Sequence, residues 1–159
     1  MPLPEPTTDD PSGVDARTAV TGTGRMAVAA AARLARHLEL GLATVDLTLP
    51  QFRLLMLLVD EPGVANQLAR RTHVRPPSLT ALVTGLVDRG LVERRPDETD
   101  RRRVVLAATD EGRSILDSGF DAVESRLAEI TSTSPDDADL MAPLAHWIPA
   151  LDEWRDGAR

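Results

Sequence analysis

Cysteine, tyrosine and lysine are all absent from the 159 residues, so the 18 basic residues are every one arginine. Without cysteine there is no disulfide, no thiolate metal ligand and no thiol-based peroxide sensing, and redox chemistry would need a bound cofactor. Aromatic residues make up 3% of the chain, two Phe and two Trp. The core must therefore be built from Leu, Val and Ala, which suits packed helices better than a sheet sandwich. No apolar run approaches the ~18 residues needed to span a bilayer. The first residues lack the basic start and apolar stretch of a signal peptide, so a cytoplasmic protein with no membrane partner is expected. The three histidines, His37, His73 and His146, are far apart and in no metal-ligand or catalytic spacing, and Ser78 has no base near it in sequence. No metal, no cofactor and no enzymatic activity are expected.

What is present is a 42% hydrophobic fraction, enough for a buried core, and an uneven charge distribution. The net charge is −7, which argues against a generic polyanion binder. Residues 63–107, however, carry nine Arg against five acids, a net of +4, and the remainder carries nine Arg against twenty acids, a net of −11. An arginine-only basic set is explained better by the codon usage of a GC-rich genome than by phosphate binding. The clustering is more telling: an acidic scaffold around a basic middle segment concentrates positive potential in one place, as a sequence-specific DNA reader requires.

Along the chain, residues 1–16 read as a disordered, acidic, proline-rich tail. Over residues 17–45, Leu34, Leu38, Leu42 and Val45 form one apolar stripe on a long helix. Thr48-Leu49-Pro50-Gln51 has the form of a capping box with an early proline, predicting a helix to about Asp60 with Phe52, Leu55, Met56, Leu58 and Val59 inward. A short helix over residues 65–72 and a turn at residues 73–75 lead to a helix starting at Pro76. There Leu79, Leu82, Val83, Leu86 and Val87 make a complete amphipathic stripe, ended by Gly90. The opposite face is Ser78, Thr80, Ala81, Thr84 and Gly85, small and uncharged, where a solvated helix usually carries long charged side chains. Small hydroxylated residues permit close approach to base edges and phosphates.

Residues 91–95 and 101–107 read as the strands of a hairpin with a polar turn between them, and Arg101-Arg102-Arg103 lie where the tip meets the return strand. Thr109 caps a following helix with Asp110 and Glu111 in its first turn. Leu116, Phe120, Val123, Leu127 and Ile130 give that helix a four-three seam. Ser134 starts a last helix whose apolar series is Leu140, Leu144, Leu151 and the two tryptophans, Trp147 and Trp154; Pro143 and Pro149 must kink or break it.

The predicted fold is mainly α with a small β-hairpin: a winged helix-turn-helix over residues 48–108, between long helices at residues 17–47 and 109–159. Such an order lets one helix enter the major groove while a wing arginine enters the narrow, electronegative minor groove. Asp100-Arg101-Arg102 followed by Thr109-Asp110-Glu111-Gly112, and Gly90-Leu91-Val92-Glu93-Arg94 before them, resemble the wing signature of the multiple-antibiotic-resistance regulator (MarR) family. The resemblance covers roughly residues 49–112. It implies that Asp100 braces Arg102, that Arg102 or Arg101 reaches the minor groove, and that Ser78, Thr80 and Thr84, with Arg75, face the major groove. Arg94, Arg95 and Arg103 complete the candidate DNA-binding set. Arg75-Pro76-Pro77 stands where the family more often has a Ser/Thr-rich start.

The resemblance also implies a homodimer formed by the first and last helices, and the four-three seams support it independently. A two-fold dimer would read a pseudo-palindromic double-stranded operator, and a small aromatic or carboxylate effector could alter its half-site spacing. Arg36, His37, Phe52 and Trp147 are candidates for such an effector pocket; plain packing and solvation are the alternative for these four. Two other functional readings are a winged-helix module that binds a protein partner without touching DNA, disfavoured by the arginine wing, and an enzyme.

Overall fold

In the computed structural model, backbone is described for residues 12–72, 74–97, 100–134 and 139–157, and side chains within those spans from residue 22 to residue 154. The chain divides into two compact units, Met1–Arg36 and His37–Arg159. Helix α1 (Ser12–Ala43) begins in the first and ends in the second. It starts before the expected residue 17, so residues 12–16, read above as part of a disordered tail, are helical, with no proline after Pro11 to prevent it; the rest of that tail lies outside the described residues.

The second unit continues with α2 (Leu49–Asp60), α3 (Ala65–Thr72), α4 (Pro76–Asp88), β1 (Val92–Pro96), β2 (Val104–Ala108), α5 (Asp110–Ser132), α6 (Met141–His146) and α7 (Ile148–Gly157). The capping box forms as predicted: the Gln51 amide donates to Thr48 Oγ1 at 3.4 Å and the Thr48 amide donates to Gln51 Oε1 at 2.9 Å. The strands pair antiparallel, from Val92 opposite Ala108 to Pro96 opposite Val104. Gly63 adds a rung outside the hairpin, exchanging two backbone hydrogen bonds with Leu106 at 3.0 and 2.9 Å. This rung ties the wing to the segment between α2 and α3.

The core is leucine, as the scarcity of aromatics required. Leu42, Leu54, Leu55, Leu58, Leu68, Leu79 and Leu86 are all essentially inaccessible to solvent. On α2, Phe52, Leu55 and Leu58 are buried as predicted, but Leu54 is fully buried in addition, whereas Met56 is 38% exposed. The helix is covered on more than one side, by α5, by the wing and by α3 and α4, so a single-stripe reading misses part of its buried surface. The return strand starts at Val104 rather than at residue 101, because the three arginines are spent on the turn.

Two close backbone approaches need glycine. At Gly112 a Cβ would lie inside van der Waals contact of the Leu91 carbonyl oxygen and 3.0 Å from its carbonyl carbon. At Gly41 a Cβ would meet the backbone of Ala122 at 3.2 Å, which lets α1 approach α5 closely. The expected helix start at Ser134 abuts residues 135–138, which lie outside the described residues. The next described helix, α6, starts at Met141, where the Met141 and Ala142 amides donate to the Asp139 carboxylate. Helix continuity fails at Trp147, between α6 and α7, close to where Pro149 removes a backbone donor. Leu144, Trp147, Leu151 and Trp154, the predicted apolar series, are exposed.

Candidate nucleic-acid interface

Helix α4 is set by its ends and by one buried stripe. Leu79, Val83 and Leu86 are buried, and Leu82 and Val87 pack beside them. That leaves Ser78, Thr80, Ala81 and Thr84 exposed on the remaining surface, with Gly85 half-buried. Arg75, the N-cap residue, is exposed and makes no side-chain capping bond; Pro76 and Pro77 have no amide hydrogens to cap. Thr80 Oγ1 donates back to the Pro76 carbonyl at 3.1 Å. Thr80 therefore faces the start of its own helix, and it lines a cleft of about 310 Å³ between α3, α4 and the wing, together with Asn66, Arg94 and Val104. The arrangement separates Thr80 and Arg94, which share this cleft, from Ser78 and Thr84, which do not line it.

The turn between β1 and β2 is organised by two aspartates. The Asp97 amide donates to the Arg103 carbonyl at 2.9 Å, and the Asp100 amide donates to Asp97 Oδ1 at 3.2 Å. Asp100 then accepts twice: its Oδ1 from the Arg102 amide at 3.0 Å and its carbonyl from the Arg103 amide at 2.8 Å. The link from Asp100 to Arg102 thus runs through the backbone and leaves the guanidinium unspent. Arg101, Arg102 and Arg103 are all exposed at the tip. Arg94 is exposed on β1, while Arg95 is half-buried beside Glu93 at 4.0 Å, with its Nε buried and without a hydrogen-bond partner. Asp97 was not among the sequence candidates; its position three residues before Asp100, in a polar turn, is the signal that could have found it.

The wing's base is held as firmly as its tip. Thr109 Oγ1 donates to the Gly90 carbonyl at 2.7 Å and accepts from the Gly112 amide at 3.0 Å, and the Thr109 amide donates to the Leu91 carbonyl at 3.1 Å. One threonine thus caps α5 and fastens it to the end of α4. The close approach this requires explains why Gly112 follows three residues later.

The four effector-pocket candidates differ in their surroundings. Phe52 is a core residue: its ring meets Phe120 edge-on, with centroids 4.9 Å apart, and lies over Gly119. His37 is half-buried with an unpartnered Nδ1, and Trp147 is 61% exposed between α6 and α7. Arg36 belongs to the first unit and is exposed. None of the four lines the cleft beside α4. Among the described residues no group of His, Asp and Glu is placed to hold a metal ion, and no helix is long and apolar enough to cross a membrane.

Residues 45–103 match the sequence model of the MarR family. An HTH-type transcriptional regulator of Mycobacterium bovis is 31% identical over 121 residues, 75% of this chain and 85% of the relative. The HTH-type transcriptional repressor YetL of Bacillus subtilis is 29% identical over 90 residues, 55% of this chain and 54% of the relative. Among solved structures, wild-type apo MarR from Escherichia coli superposes with a TM-score of 0.65 at 26% identity, covering 80% of this chain and 95% of that one. CouR from Rhodococcus jostii, solved with p-coumaroyl-CoA bound, has the same fold, with a TM-score of 0.65 at 22% identity over 84% of this chain and 91% of that one.

Proposed function

The chain belongs to the MarR family of winged helix-turn-helix transcription regulators, which are DNA-binding proteins and not enzymes, and from that premise we propose that it is a homodimeric repressor of a pseudo-palindromic operator. The observation that carries the reading is the pairing of two surfaces: the small, exposed face of α4 at Ser78, Ala81 and Thr84, and three exposed arginines on a turn stiffened by Asp97 and Asp100. Helix α4 enters the major groove, with Ser78 and Thr84 at base edges and Arg75 on phosphate. The wing places Arg101 or Arg102 in the adjacent minor groove, where a narrow groove enhances the negative potential. Arg103 and Arg94 add positive charge near the backbone. Residues 48–108 are the reading head, and residues 17–47 and 109–159 are the dimerisation helices.

The exposed apolar series Leu144, Trp147, Leu151 and Trp154 supports self-association, since a soluble monomer rarely leaves such a run uncovered. A two-fold dimer sets the two copies of α4 one helical turn of DNA apart, about 34 Å. An effector that binds one spacing better than the other shifts the population between them. The bound p-coumaroyl-CoA in CouR makes a carboxylate-derived aromatic compound a reasonable class to screen.

The test is selection of bound sequences from random and genomic DNA, followed by titration at graded salt. Inverted repeats and a steep fall of affinity with salt are expected, since each arginine–phosphate contact releases condensed counterions. Recovery of no sequence, with binding equally weak to all DNA, would refute the reading.

A further inference from the structure

Helix α1 and the reading helix α4 end in the same way, and one side chain joins the two ends. At the end of α1 the Leu47 amide donates to the Leu42 carbonyl at 3.0 Å and the Asp46 amide to the Ala43 carbonyl at 3.3 Å, with Asp46 at φ 55°. At the end of α4 the Leu91 amide donates to the Leu86 carbonyl and the Gly90 amide to the Val87 carbonyl, both at 2.9 Å, with Gly90 at φ 71°. Both are left-handed helix stops, and each encloses a pair of buried leucines, Leu42 with Leu47 and Leu86 with Leu91. Glycine takes the left-handed position in the second. Asp46 takes it in the first, and it is the single non-glycine residue at positive φ among those described.

Arg89, the C-cap residue of α4, bridges the two. Its Nη1 donates to the Asp46 carbonyl at 2.6 Å, and its Nη2 lies 3.5 Å from Asp46 Oδ2. The guanidinium therefore sits at the C-terminal end of α1 and straddles the carbonyl and carboxylate of one residue, 43 positions away in sequence.

We propose that Arg89 is a positioning residue for the reading helix, fixing the orientation of α4 to the end of α1. The apolar stripe of α4 presses it onto the core, and Thr109 fastens its C-terminal end to α5; the tie from Arg89 is the side-chain contact that refers it to α1. At the other end the N-cap residue, Arg75, supplies no side-chain capping bond. The inference rests on the DNA-binding reading above: α1 carries the dimer contact, so the tie links subunit geometry to the direction in which Ser78 and Thr84 point. The carbonyl of Asp46 is the principal acceptor and the carboxylate a second, longer arm.

The test uses the full chain and a series of selected operators in which the half-site separation is changed one base pair at a time. Arg89→Ala is expected to lose about tenfold in affinity at the best spacing, the scale of one charge-assisted hydrogen bond. It is also expected to flatten the dependence on spacing, with unchanged binding to random DNA and unchanged dimer mass. Arg89→Lys, which keeps one charged donor, should recover part of the spacing preference, and it carries the test should Arg89→Ala fail to fold. Asp46→Gly keeps the carbonyl and should keep the preference. A wild-type spacing profile in Arg89→Ala, or in Arg89→Lys where Arg89→Ala does not fold, overturns the proposal. So does an equal loss on specific and random DNA, which would make Arg89 a phosphate contact. If the wild-type chain itself selects no sequence, the DNA-binding reading fails, and this role fails with it.

Discussion

Replacing Gly112 with alanine tests whether the junction between wing and α5 is as tight as it looks. Taken alone, the substitution should help, since alanine in a helix is favoured over glycine by roughly 0.5–1 kcal/mol. Against that stands the Leu91 carbonyl, which a Cβ at position 112 would overlap. Both partners are backbone, so no side chain can rotate away, and α5 must be pushed off the end of α4. Overpacking of this kind costs about 1–3 kcal/mol and sometimes more. The displacement also stretches the bonds Thr109 makes to Gly90, Leu91 and Gly112, and a lost N-cap costs about 1 kcal/mol. The balance is a loss of about 2–3 kcal/mol. With a urea dependence of roughly 1–3 kcal/mol per molar, the unfolding midpoint should fall by about 1 M at an unchanged slope. Protein concentration must be held fixed, because a dimer's stability depends on it. A midpoint equal to or above that of the wild type would refute the argument, since helix propensity would then outweigh the contact.

Further expectations concern the interface itself. Arg102→Ala should cost about 1–3 kcal/mol per half-site, on the scale of a good base contact, and leave the dimer intact; unchanged affinity by fluorescence anisotropy at moderate salt would remove the wing from the mechanism. Ser78→Ala and Thr84→Ala should change the selected sequence more than the affinity for random DNA, and a uniform loss on every sequence would mean that they touch phosphates only. Asp100→Ala, which frees the Arg102 amide, should weaken operator binding less than Arg102→Ala does, measured by the same titration. Leu151→Glu combined with Trp154→Glu should shift the protein to monomer by light scattering at concentrations where the wild type is dimeric, and a persisting dimer would place the subunit contact elsewhere.

The order of elements was legible because the signals that create them are local. Thr48 and Gln51 lie three residues apart and cap α2 by themselves; Pro76 can begin a helix and cannot sit inside one; Gly90 permits a left-handed stop; Thr109 caps whatever helix follows it. The hairpin itself was legible for the same reason, since a polar turn between two strand-like runs has few ways to close. The errors arose where burial depends on several neighbours at once. Met56 and Leu54 differ by two positions on one helix, and which of them is covered depends on where α5 and the wing pack around α2. The three arginines count as strand by pattern, yet the bonds of Asp97 and Asp100 draw them into the turn.

Propensity, capping and period act within a few residues, and they suffice to specify the helices, their caps, the winged order and the basic middle segment. Packing across the fold is what turns Thr80 toward a cleft with Arg94, makes Phe52 core, has Gly112 make room for a carbonyl of Leu91, and brings Arg89 to Asp46. Those relations join residues from 14 to 43 positions apart in the chain, or depend on many partners at once, and no local periodicity encodes a distance across the fold.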